Sequence, residues 1–240
     1  MEEGIGQGGG IPGPAHKRLY RKWAQGQWGM IITGAWSCIL LRPSSLIRSG
    51  NVQVDERNLA TGHDRTFPSN SPEAIAAWTE LSSVIHHSDT SDAPTSLAIM
   101  QISHAGLQSS STINFSRLPW TPAVAPVSAR PDLGDTYLGW LISRIIWPVK
   151  SRAINNTEEW LKIVERFVEV ACDAERAGWD GVQIHSAHGY LLAEYLSTLV
   201  CLDLGEGAIH MLISSTRQTL LLNAFQGHQM RSPLDYTFCT

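Results

Sequence analysis

The sequence predicts an α/β fold on parallel strands, and three observations carry that expectation. Short apolar runs, "WGMIIT", "SLAIMQISHAG" and "DGVQIH", alternate with two long helical patterns. The runs lack a polar face of period two, as strands covered on both sides do. Two of them end in polar residues and glycine, "QISHAG" and "HSAHG". The order strand, helix, strand, helix, strand belongs to a parallel sheet or an (α/β) barrel, in which ligands sit at the carboxyl ends of the strands. By that rule Gln101, His104, His185, His188 and Tyr190 stand where chemistry is expected.

Taken in order, residues 1–16 are rich in glycine and proline and read as a flexible lead-in. "KRLYRKWAQ" has helical spacing, with Leu19, Trp23 and Ala24 on one side and Gly26 placed to end it. After the strand "WGMIIT", residues 35–50 show no clean period of two or 3.6, and they separate that strand from "NVQVDERNLATG". In "SPEAIAAWTELSSVIHHSD", Ser71 is an N-cap, Pro72 suits the first helical position and Glu73 favours the positive end of the dipole. Ile75, Trp78, Leu81 and Ile85 form its apolar stripe. Residues from about 114 to 148 are proline-rich without sustained periodicity and read as a surface excursion or lid. "NTEEWLKIVERFVEVACDAERAG" is the clearest helix. Thr157 is its expected N-cap, Leu161, Val164, Val168, Ala171 and Ala174 its expected buried face, and Gly178 its C′ residue.

With 240 residues, 43% of them hydrophobic and 17% charged, the chain has the composition of a globular protein able to bury a core. A formal charge of -4 with no basic block argues against nucleic acid as a partner. Cys38, Cys172, Cys201 and Cys239 are far apart with no CxxC pair, which argues against a zinc ribbon or disulfide framework and fits a reducing, cytoplasmic setting. The most apolar window, "WGMIITGAWSCILL", is shorter than the roughly 20 residues a bilayer span needs, so no membrane segment is expected. Two histidines spaced H-x-x-H can supply two nitrogen ligands, but no third or fourth ligand is placed to complete a zinc site. His86 and His87 read as surface residues and Cys172 as part of a helix core.

Three pieces together resemble the old yellow enzyme family of FMN-dependent NADH:flavin oxidoreductases: "WGMIITG" with "NVQVDERNLATG", "MQISHAG", and "ERAGWDGVQIHSAHGYLLAEYLS". The third is the most specific, H-x-A-H-G-Y-L-L after A-G-x-D-G-V. The resemblance implies a TIM (β/α)8 barrel with FMN at its mouth, of which this chain holds a part, roughly strands 2–4 with their helices. It implies that Gln101 and His185 contact the flavin, Gln101 on its pyrimidine edge. It also implies that His185 and His188 bind the oxygen of an α,β-unsaturated carbonyl, and that Tyr190 delivers a proton while hydride arrives from flavin reduced by NAD(P)H. The residue types suit those roles. Two fixed donors stabilise the enolate charge that grows on the oxygen, and a phenol, with an ordinary pKa of about 10, is protonated at neutral pH. A small electrophilic alkene is the implied substrate.

The resemblance fades at about Thr198, and residues 198–240 are expected to form a divergent tail. No counterpart of the first barrel strand is found upstream of Lys17. The expected organisation is therefore a lead-in over 1–16, a partial barrel over 17–197 and the tail. Removing residues 35–50 would join "WGMIITG" to "NVQVDERNL", so those residues are expected to be an insert foreign to the family, of the kind a translated intron leaves. Two functional readings follow: an FMN-dependent ene-reductase, or a non-catalytic truncated remnant or interaction fragment that does not retain flavin. A partial barrel leaves an open strand edge, a route to self-association.

Overall fold

The computed structural model describes residues 10–33, 51–60, 62, 64–68, 71–87, 95–112, 114, 117, 118 and 120–197. Its elements in chain order are α1 (Pro14–Ala24), β1 (Met30–Ile32), β2 (Val52–Gln53), β3 (Arg65–Thr66), α2 (Pro72–His86), β4 (Leu97–Ser103), a 3-10 turn (Gly106–Gln108), β5 (Val124–Ala125), α3 (Tyr137–Ile146), β6 (Arg152–Ala153), α4 (Thr157–Arg176), β7 (Gly181–Ile184) and α5 (Leu191–Leu196). The main sheet is wholly parallel and centres on β4, with β7 on one edge and β1 and β2 on the other. The α/β reading holds.

Alternation along β4 creates two unlike faces. Ala98, Met100 and Ile102 are fully buried in the core shared with α2 and α4, through Trp78, Leu81, Phe167 and Val170. Ile99 and Gln101 point to the opposite face and are only half-buried. β7 departs from expectation. All four of its residues are half-exposed, because among the described residues only β4 pairs with it. Its start is tied down by Asp180, whose Oδ2 accepts from Ala98 N at 2.7 Å and lies 2.7 Å from His86 Nε2.

α2 starts as expected, with Ser71 Oγ accepting from Ala74 N at 3.2 Å and Pro72 following. α4 has Asn156, one residue ahead of Thr157, as its cap, the Asn Oδ1 accepting from Glu159 N at 2.7 Å. The buried face of α4 is also rotated from the expected one. Trp160, Ile163, Phe167 and Val170 join Val164, Ala171 and Ala174 in the core, while Leu161 is exposed and Val168 half-buried. The bulkier aromatic set buries more apolar area against the sheet and decides the rotation. Helix α1 begins at Pro14 with His16 buried, inside the stretch read as lead-in. Within the proline-rich stretch, "YLGWLISRII" forms α3, capped by Thr136 Oγ1 on Gly139 N at 3.0 Å.

Residues 35–50 and 198–240 lie outside the described residues, but the strands flanking the first of these carry information. β1 and β2 run one after the other along the same edge of β4: Ile32 faces Ile99 and Val52 faces Ile102. Twenty steps of chain on this edge therefore match three along β4. Removing residues 35–50 would leave four, one residue over, which is the size of a β-bulge. Gln101 N, at that point, donates to Thr33 Oγ1 at 2.7 Å instead of to a backbone carbonyl. We therefore propose that β1 and β2 are halves of one strand and that 35–50 is an insert within it. A chain lacking 35–50 is expected to keep the same far-UV circular dichroism and a Tm no lower than the parent. A collapse of the thermal transition would show that the segment is integral to the fold.

Candidate active site

The polar face of the sheet is built by period two and parallel register. Gln101 of β4 stands opposite Gln183 of β7, and Gln101 Nε2 donates to Gln183 Oε1 at 2.6 Å. Gln101 Oε1 is buried with no hydrogen-bond partner among the described residues. His185 continues the row two residues beyond Gln183, held by its backbone N–H on Ile102 O at 2.9 Å. These side chains lie at the carboxyl ends of β4 and β7, as expected.

The chain then turns sharply. His188 has φ +58° and Gly189 φ +70°, two left-handed residues in succession. That conformation costs a non-glycine residue roughly 1–2 kcal/mol, so surrounding contacts must hold it. The turn swings His188 back over the strand end, with its Nδ1 3.2 Å from His185 Nε2. Tyr190 closes the turn, 2% exposed, its ring edge-on to His185 with centroids 5.0 Å apart. Three of the five residues singled out from the sequence, His185, His188 and Tyr190, thus form one cluster. Gln101 stands on the same sheet face on the neighbouring strand.

Burial, and then the neighbouring His188, lower the His185 pKa to about 4, so its ring is neutral at pH 7. A neutral imidazole offers one N–H and one lone pair. Hence a single hydrogen bridges the facing nitrogens of His185 and His188. His104 is 1% exposed, with its Nε2 3.9 Å from Asp55 Oδ2. Its Nδ1 accepts from Gly106 N at 3.1 Å, and burial lowers its pKa to about 4. His86 is half-buried on Asp180 rather than free at the surface. A cavity of about 790 Å³, bordered by Asp55, His104, Arg117, Glu159 and Arg166, contains none of Gln101, His185, His188 or Tyr190. Among the described residues, no group of three or more His, Cys, Asp or Glu is arranged to hold a metal ion, and no helix is long and apolar enough to cross a membrane.

Sequence reasoning missed three members of the surroundings. Gln183 was reachable by counting two back from His185 on the same strand. Glu194, the lone acid in "LLAEYLS", and Gln108 act through contacts that no local pattern reveals.

A flavin's pyrimidine edge offers an imide N–H, and the buried, unpartnered Gln101 Oε1 is an acceptor suited to it. The chain is 32% identical over 202 residues to the NADH-dependent flavin oxidoreductase iliE of Hypocrea jecorina (strain QM6a), covering 82% of this chain and 43% of that one. It is 30% identical over 155 residues to the NADH oxidase of Thermoanaerobacter brockii, covering 63% of this chain and 20% of that one. Among solved structures, the old yellow enzyme homologue from Zymomonas mobilis matches with TM-score 0.57 at 23% identity, covering 82% of this chain and 45% of that one. Morphinone reductase in complex with tetrahydroNAD matches with TM-score 0.58 at 20% identity, covering 83% and 47%. These structures are TIM barrels, so the parallel sheet here is part of one, not closed. The chain spans less than half the length of these relatives. Over residues 7–201 it matches the NADH:flavin oxidoreductase / NADH oxidase family, and it belongs to that family.

Proposed function

We propose that the chain carries the flavin- and substrate-facing part of an FMN-dependent oxidoreductase of ene-reductase type, acting on a small α,β-unsaturated carbonyl. The observation behind this reading is the cluster at the end of β7. Two histidine nitrogens face each other at 3.2 Å with a tyrosine ring beside them, on the sheet face that holds Gln101. Gln101 would hold the pyrimidine edge of the flavin through its free carbonyl, with His185 close by. A substrate oxygen entering between His185 Nε2 and His188 Nδ1 would take the place of their mutual hydrogen bond. Each ring would then turn an N–H to that oxygen, where enolate charge develops. FMN held there and reduced by NAD(P)H would supply the hydride for one alkene carbon. Tyr190 gives a proton to the other, and water restores it. The product is the saturated carbonyl compound.

A second reading, a remnant that no longer retains flavin, is favoured by the half-exposed β7, whose outer edge no described strand covers. Flavin retention by the purified chain separates the two. Bound FMN that is lost on Gln101→Ala supports the first reading, and its absence from the parent chain supports the second.

A further inference from the structure

The His188–Gly189 turn holds a conformation unfavourable to histidine, so something must over-determine it. Its supports come from the turn that follows β4. Gln108 Nε2 donates to the His188 carbonyl. Leu191 N donates to the His104 carbonyl at 3.0 Å. From α5, Glu194 Oε1 accepts from Leu107 N at 2.7 Å. The fit is close on both sides. A Cβ on Gly106, itself at φ +57°, would lie 2.5 Å from Glu194 Oε1, and a Cβ on Gly189 would lie 3.0 Å from Gln108 Nε2. Two glycines therefore let the 104–108 and 188–194 turns interlock, with one carboxyl and one amide as the bolts.

We propose that Glu194 and Gln108 are positioning residues, which clamp these two turns together and so hold His188 opposite His185. The proposal deepens the functional reading above and rests on the His185–His188 pair being the working site. Glu194 is buried, at 3% exposure, and its Oε2 has no hydrogen-bond partner among the described residues. A buried carboxylate with one unsatisfied oxygen would be costly, and the neutral acid avoids that cost. Burial accordingly raises its pKa to about 8, with the Leu107 N–H pulling the other way, so the clamp is neutral at pH 7. A glutamine has the same shape and the same single acceptor for Leu107 N, and it replaces Glu194 without loss. Alanine does not. Gln108 works from the surface, where its amide bridges to a backbone carbonyl, so Gln108→Ala removes the bolt without opening the core.

The test is a titration of the ring nitrogens by NMR on the full chain labelled with ¹⁵N-histidine. The samples are the parent, Gln108→Ala, Glu194→Ala and Glu194→Gln. In the parent, burial and then the neighbouring His188 lower the His185 pKa to about 4. In Gln108→Ala and Glu194→Ala the midpoint of His185 is expected to rise by roughly one unit as His188 leaves its station. In Glu194→Gln it is expected to stay at the parent value. An unchanged His185 midpoint in folded Gln108→Ala overturns the proposal, and so does a shift in Glu194→Gln equal to that in Glu194→Ala. Should Glu194→Ala fail to fold, Gln108→Ala decides alone. The measurement needs no flavin, so a chain that binds none would overturn the functional reading while leaving the clamp to be judged on its own shifts.

Discussion

Trp78→Ala is expected to lower the unfolding free energy by about 3–5 kcal/mol. That is a large share of the roughly 5–15 kcal/mol that folded domains have. Trp78 is 1% exposed at the centre of the layer between α2 and the sheet. Its ring stacks on Phe67 with centroids 5.8 Å apart and meets Trp179 edge-on at 5.9 Å. Its Nε1 donates to Thr66 O at 3.3 Å, fastening the helix to β3. Truncation removes the indole from three partners at once, and the cavity cannot collapse, because α2 is also held by its Ser71 cap and by Ser82 Oγ on Ala177 O at 2.7 Å. The Tm is expected to fall by about 10 °C or more, followed by circular dichroism at 222 nm. Trp140 is the control: half-exposed, stacked on Tyr137 and with Arg144 over its ring, it should cost less than about 1 kcal/mol on truncation. Equal losses at the two positions would mean that the α2 layer is not the core.

The second large effect concerns chemistry. With FMN bound and reduced, Tyr190→Phe is expected to slow enone reduction by about 10²–10⁴-fold, the usual contribution of a positioned general acid. Flavin retention should not change, because the phenyl ring keeps the edge-on packing against His185 and the contacts with Ala60 and Ala105. His185→Ala is expected to cost about 10²–10³-fold in the same step, the cost of one donor lost from an oxyanion. The two variants differ in a useful way. Tyr190→Phe should leave enone affinity near the parent value, whereas His185→Ala should weaken it, since in the proposed mechanism His185 shares the oxygen with His188 and Tyr190 does not bind it. Stopped-flow oxidation of the reduced flavin over a range of enone concentrations reads both quantities. A Tyr190→Phe variant as fast as the parent would assign the proton to another donor.

Much of this was legible in the sequence, and the failures have physical causes. The apolar runs of β4 and β7, the cap of α2 and the placing of "HSAHGY" at a strand end follow from period, punctuation and residue type. α3 escaped notice inside the proline-rich stretch because its buried side is the small pair Gly139 and Ser143, the reverse of an apolar stripe turned to a core. Its Tyr137, Leu138 and Ile145 are exposed, so tertiary burial does not explain its composition. Asn156 and Thr157 are both good caps, one residue apart, and only the hydrogen bond to Glu159 chooses between them. The face of α4 was misplaced because apolar residues occupy more than one side of the helix, and packing against the sheet selects the aromatic side. Within the candidate site, the strand-end positions of Gln101, His185, His188 and Tyr190 were legible from the sequence. Their coupling to Gln183, Gln108 and Glu194 depends on register between strands and on the meeting of two turns, which separations of about 80 residues conceal.

The most direct test of the account is the flavin bound per polypeptide after purification in excess FMN and desalting, read from the absorbance of the released cofactor. The account predicts near-equimolar FMN in the parent chain and little in Gln101→Ala, with both proteins folded. A folded parent chain that leaves the column without flavin would contradict it, and "HSAHGY" would then be an inherited motif without its cofactor.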